Sequence, residues 1–244
     1  MPASNSKDRV TYIAVRELPP HLSKESFEAK VRAVVDSFLV LPVCKKNLLR
    51  YDLVGCDSWL TYSSHLTRHQ IFHIPSEWLN AALRALGLPE SRPHVLSIAE
   101  CESYDHWAEI LTDPDFGKVT AEGEKFGYCS GARAFFADVA TKIDSSAAGL
   151  VDPICLFAVC RAPTRIPAQE YFQKLDKLVD RALALPVCKK VFNKYSIHLS
   201  SNADKNLQNI DGMLRALGIP ALEPMAVLIT EASVRILLSL PSLR

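Results

Sequence analysis

The sequence predicts an α+β protein made of two similar lobes, and three observations predict it. LPVCKK stands at 41–46 and again at 185–190, 144 positions on, within VVDSFLVLPVCKK (34–46) and LVDRALALPVCKK (178–190), which agree at nine of thirteen positions. LRALGLP (83–89) returns as LRALGIP (214–220) at an offset of 131, so the first copy holds 13 more residues between the two blocks. Strand-like and helix-like runs then follow one another in the same order in both copies.

After a polar arm, VTYIAVREL (10–18) is rich in β-branched and aromatic residues and predicts a strand, ended by Pro19 and Pro20. Ser23 can cap a helix in which Phe27, Val31, Val34, Val35, Phe38 and Leu39 bury one face, and Pro42 stops or kinks it. NLLRYDLV predicts a second strand, PSEWLNAALRALGLP a shorter helix and HVLSIAEC (94–101) a third strand. YDHWAEILTDPDFGKVTAEGEKF is helical with a break at Asp113–Pro114, and ARAFFADVAT (132–141) is the fourth strand. The second copy repeats the series through ICLFAVCRA, QEYFQKLDKLVDRALALP, FNKYSIHL, NLQNIDGMLRALGIP and MAVLITEA, and by the offset of 131 it has no counterpart of the later helical part and fourth strand. Residues 1–148 and 149–244 are the expected lobes. Each follows the split-βαβ, ferredoxin-like plan, the second without its last strand; two such sheets pressed face to face would close a barrel-like body within one chain.

Composition narrows the partners. With 48% apolar and 23% charged residues and a formal charge of +1, the chain carries no electrostatic footprint for nucleic acid or an anionic membrane. Seven cysteines without a C-x-x-C spacing read as reduced thiols, and the polar N-terminus and short apolar runs give no secretory signal or bilayer span, so a soluble cytoplasmic protein is expected. The nine glycines form no dinucleotide or P-loop fingerprint, and neither a zinc signature nor positive support for haem is present, so no cofactor and no metal are expected.

ALPVCKK followed by KYSI or RYDL, LRALG[LI]P, and TDPDFGKV…EKF ahead of a final strand resemble the dimeric α+β barrel superfamily, and within it the fungal EthD-like tandem-repeat proteins. The resemblance covers nearly the whole chain and rests on scaffold motifs. It implies a barrel fold whose relatives include cofactor-free monooxygenases, polyketide cyclases, muconolactone isomerases, haem proteins of the chlorite dismutase type and plant stress proteins.

Several residues are candidates for chemistry. Tyr51 aligns with Tyr195; facing inward, it can hydrogen-bond a phenol or carbonyl and act with a histidine as acid or base, although a tyrosine kept in both copies also suits packing. Tyr12 and Arg16 share one face of the first strand, and an inward arginine needs an anionic or carbonyl partner. Asp52 adjoins Tyr51 on the second strand. Glu100 and Glu231 occupy matching positions in apolar strands, where a carboxyl can gain basicity or pair with a lysine at the rim. His94 flanks the same strand as Glu100. His65, His69 and His73 recur every four residues; on a helix neighbours would lie about 6 Å apart and two could share a metal, on a strand about 13 Å, and the flanking Phe72, Ile74 and Pro75 favour the extended reading.

The expected function is a cofactor-independent enzyme acting on a small apolar oxygenated metabolite by acid/base cyclisation, isomerisation or elimination. Its site is placed between the facing sheets: Tyr51 orients the substrate, His73 or His94 moves the proton, Arg16 steadies negative charge, and Tyr12, Glu100 and Asp52 complete the binding surface. A non-catalytic binding or stress-response barrel and a cofactor-free monooxygenase are the alternatives. The edge left by the short second lobe calls for cover by residues 233–244 or by a second chain, as in a homodimer.

Overall fold

The structure, a computed structural model, describes residues 9–55, 59–63, 84, 94–144, 153–201, 206–220 and 223–233. The histidine run containing His73, the chain end after Ser233 and, apart from Arg84, the helix expected over 75–89 lie outside these residues.

Eight strands and seven helices are described: β1 (Val10–Glu17), α1 (Lys24–Leu39), α2 (Pro42–Asn47), β2 (Leu48–Val54), β3 (Trp59–Ser63), β4 (His94–Cys101), α3 (Tyr104–Thr112), α4 (Pro114–Glu124), β5 (Ala132–Asp144), β6 (Pro153–Arg161), α5 (Ala168–Leu183), α6 (Pro186–Val191), β7 (Phe192–Ser200), α7 (Asn206–Ala216) and β8 (Met225–Ser233). They form two compact units whose borders differ from the repeat boundary expected at 148/149. One comprises the described residues up to Phe136 together with those of Ser201–Glu223, the other the described residues of Ala137–Ser200 together with those from Pro224 on. Thus α7, a second-copy element, belongs to the first unit, and β5 changes unit at Phe136/Ala137.

In the first unit the strand order is β3-β2-β4-β1-β5, with β1 and β2 both antiparallel to β4. Without β3 this is the ferredoxin-like order. The sequence reading missed β3, which belongs to the extra residues of the first copy and pairs with β2 from Arg50↔Ser63 to Val54↔Trp59. Register fixes which side chains share a face: Tyr12↔Ala99↔Tyr51 lie in one row, Ala14↔Ser97↔Leu53 in the next, and Arg16 opposite Val95. This face packs with Phe27, Val31, Val35 and Phe38 of α1 and Trp107 and Ile110 of α3 in the main core. The other face is buried as well, through Ile13, Val15, Leu96, Ile98 and Phe135, and a sheet covered on both sides accounts for the unbroken apolar runs.

Caps place the helices. Ser23 accepts from Ser26 N at 3.2 Å to start α1. Asp113 accepts from Asp115 N and Phe116 N, both at 2.9 Å, and Pro114 sits at the first position of α4, which accounts for the TDPDF motif. The long helix ends at Leu39 in the first copy and at Leu183 in the second, just before LPVCKK, as the proline had suggested. Pro42 and Pro186 each open a further short helix, because the first helical position needs no N–H donor. LRALGIP is a C-terminal cap: Gly218 takes φ +82°, and Ile219 N donates to Leu214 O at 3.0 Å.

In the second unit the order is β5-β7-β8-β6, antiparallel where β5 meets β7 and where β8 meets both neighbours. The second copy supplies three of these strands, and the last part of β5 lies beside β7 from Ala137↔Ser200 to Asp144↔Lys194. Its core is smaller, gathered around Val179, Leu183 and Ile197.

Candidate functional site

The first unit encloses a cavity of about 40 Å³, counted as room for the centres of water molecules. This is space for roughly three waters. Tyr12, Arg16, Tyr51 and Ser97 reach it from the strands, Trp107 and Phe116 from α3 and α4, and Leu214, Leu217 and Ile219 from α7 and its cap. The cavity lies between the sheet of the first unit and its helices, because Tyr12, Ala14 and Arg16 alternate onto the helix-packed face of β1.

Arg16 is the charged centre. It is buried, donates from Nε to Tyr128 O and from Nη1 to Ser97 Oγ, both at 2.9 Å, and its Cζ stands 4.0 Å from the Tyr128 ring centroid. Burial works against its charge, but the acidic hydroxyls of Tyr128, Tyr51 and Tyr12 and the Cys129 thiol outweigh it and raise the guanidinium pKa. Among the described residues no carboxylate contributes to that balance.

Around it stand three buried phenols. Burial raises the pKa of Tyr12, Tyr51 and Tyr128, with the positive charge of Arg16 acting the other way on each. All three therefore stay protonated at neutral pH and serve as donors. Tyr51 is hydrogen-bonded to the hydroxyls of Ser97 and Tyr128, so Arg16, Ser97, Tyr51 and Tyr128 form one connected network. Tyr12 Oη and Trp107 Nε1 are buried without a hydrogen-bond partner among the described residues. An orphaned donor in a closed interior costs about 1–3 kcal/mol unless a ligand or water takes it up.

The turn after α4 delivers Tyr128. Glu124 accepts from Cys129 N and Ser130 N at 2.9 and 3.0 Å, and Gly127 takes φ +80°. No periodicity marks Tyr128 in the sequence, and sequence reasoning missed it. Ser97 was also missed; it was visible as the one hydroxyl inside HVLSIAEC, but its place beside Arg16 depends on strand pairing.

The other candidates lie elsewhere. Asp52, 1% exposed, is paired with Arg50 Nη2 at 2.6 Å, and Glu100 stands 3.9 Å from Arg50 Nη1. His94 Nε2 is 4.0 Å from Glu17 Oε1. These three belong to the rows that alternate with Tyr12, Tyr51 and Arg16, hence to the opposite face, and none lines the cavity. Glu231 repeats the Glu100 arrangement with Lys194 at 3.9 Å, the rim pairing weighed from sequence. His73 lies outside the described residues. Among the described residues no cluster of three or more His, Cys, Asp or Glu is placed to hold a metal ion.

Neither a family model nor a curated protein matches this sequence. Solved structures do. An anthrone oxidase-like protein superposes with a TM-score of 0.51 at 10% identity, over 97% of this chain and 80% of its own. A presumed monooxygenase of Fusobacterium nucleatum gives 0.46 at 7% identity over 96% of this chain and 80% of its own, and one of Lactobacillus acidophilus 0.41 at 7% over 96% and 83%. The first of these likenesses shows the fold alone: this is an α+β chain folded like the anthrone oxidase-like protein. Among the described residues no helix is long and apolar enough to cross a membrane.

Proposed function

We propose that the chain is a cofactor-independent enzyme that binds a small apolar molecule by a carbonyl or phenol oxygen and promotes proton transfer on it, leading to isomerisation, cyclisation or elimination. One observation carries this reading: a buried cation without a carboxylate beside it among the described residues shares a mostly apolar cavity with three protonated phenols. Such a site favours an oxygen on which negative charge develops, because its donors are already oriented and water is displaced. Arg16 and Tyr12 hold that oxygen. Tyr51, supported by Ser97 and Tyr128, donates its proton to the developing oxyanion, while the carbon-bound proton passes to a water molecule admitted with the substrate. His94 has no part in this assignment, since its side chain belongs to the other face of the sheet.

A ligand larger than about three waters must displace lining side chains, and the wall formed by Leu214, Leu217 and Ile219 sets how large it can be. Further parts of the reading are a cytoplasmic location and a place among the EthD-like tandem repeats. Cofactor-free oxygenation is a second reading, favoured by the anthrone oxidase-like fold relative: an enolate or phenolate steadied by Arg16 is the electron-rich species that dioxygen attacks.

Anthrone is a suitable probe for both. Enolisation predicts deuterium uptake at its methylene carbon, followed by mass spectrometry, without oxygen consumption; oxygenation predicts uptake at an oxygen electrode. Arg16→Met and Tyr51→Phe should each lower the rate at least tenfold. Rates unchanged in both variants would remove the assignment.

A further inference from the structure

The LPVCKK face is covered in one copy and bare in the other. In the first copy α3 and α4 lie over α1 and α2: the rings of Phe38 and Phe116 are 5.5 Å apart, a Cβ on Gly123 would stand 3.1 Å from Val34 Cγ2, and Lys46 Nζ donates to Glu109 Oε2 at 2.8 Å. In the second copy α5 and α6 present the matching surface, with Leu178 for Val34, Ala182 for Phe38 and Lys190 for Lys46. No helix follows β8 among the described residues. The consequence is exposure: Leu178 is 60% exposed where Val34 is 8%, and Leu185 and Val187 reach 52% and 42%. Three large apolar side chains open to water within ten residues of chain mark a surface built for contact.

Charge narrows the partner. The acidic groups of α5 are already engaged, Asp176 and Asp180 by Lys142 and Glu170 by Lys174. Lys177, Arg181, Lys189 and Lys190 are exposed and form no ion pair among the described residues. The surface is thus apolar with a basic border. In the first copy its counterpart is covered by a segment with six carboxylates between Asp105 and Glu124 against Lys118 alone. We propose that the α5–α6 face is a docking surface for an acidic amphipathic helix of another protein, seated as α3–α4 seats on α1–α2. The chain's own residues 234–244 hold two arginines and no Asp or Glu, and two copies of the face would oppose like charges, so neither is as well matched.

The probe is a fluorescein-labelled peptide of residues 103–126, titrated with the full chain and followed by anisotropy. Saturable binding is expected, weakened at least tenfold by Leu178→Glu, by Lys189→Glu with Lys190→Glu, and by raised salt, while far-UV circular dichroism shows the variants folded. Absence of saturable binding, or equal binding by Leu178→Glu, overturns the proposal. So does a concentration-dependent dimer that Leu178→Glu dissolves, which gives the face to a second copy, or binding that appears only when residues 234–244 are deleted, which gives it to that segment.

Discussion

A guanidinium enclosed by tyrosines, with no carboxylate beside it among the described residues, loses hydration that two neutral acceptors only partly replace. Arg16 sits in such a place, and the ligand oxygen assigned to it would supply the missing acceptor. Nearby thiols experience the same desolvation. Burial pushes Cys44 and Cys101 up to about 12 and Cys129 up to about 11, from an ordinary value of 9.0. The native state then keeps protons that the unfolded chain releases, so this contribution to stability is complete below about pH 9 and is lost as pH climbs toward these raised values. Urea midpoints should hold between about pH 7 and 8.5 and fall by about pH 10.5, with a smaller fall in Cys44→Ala. An unchanged midpoint at the higher pH would show that these thiols titrate normally.

Elements turn residue types into positions, and here the pleat and the helix ends decide what the sequence could reveal. Arg16 and Tyr12 were legible as a pair because they are four residues apart on one strand. Whether Glu100, Asp52 and His94 joined them depended on the register of β1, β2 and β4, where a shift of one residue exchanges the faces, and no single strand carries that information. The helix ends were legible in outline: Asp113–Pro114 and LRALGIP announced a start and a stop, while Pro42 was read as a breaker although proline equally suits a first helical position. Close packing of α4 gives a direct check. A Cβ at Gly123 would stand 2.9 Å from Tyr128 Cβ and 3.1 Å from Val34 Cγ2. Gly123→Ala should therefore destabilise the fold by about 1–3 kcal/mol despite alanine's better helix propensity, as read from denaturant midpoints. A stabilised variant would mean that α4 does not bear on α1 and the Tyr128 turn as described.

At the scale of the whole molecule, duplication explains both the legible and the illegible. The repeat exposed the β-α-β order and the reuse of LPVCKK. It could not show that α7 would join the first unit and wall its cavity, or that the end of β5 would lie beside β7, because a repeat reports ancestry of segments and not the surfaces they exchange. The copies have also diverged where the chemistry is placed: Leu156, Cys160 and Leu228 stand in the second at the positions of Tyr12, Arg16 and Ser97, although Tyr195 matches Tyr51. The proposed site therefore has no counterpart among the described residues of the second copy. The most direct measurement uses 4-nitrophenol, whose anion absorbs at longer wavelength than its neutral form. Titrated at a pH below its free pKa, the wild-type chain should bind it as the phenolate with a stoichiometry of one, and Arg16→Met should bind it only as the neutral phenol or not at all. Binding of the neutral phenol alone by the wild-type chain, or phenolate binding that survives Arg16→Met, would contradict the account.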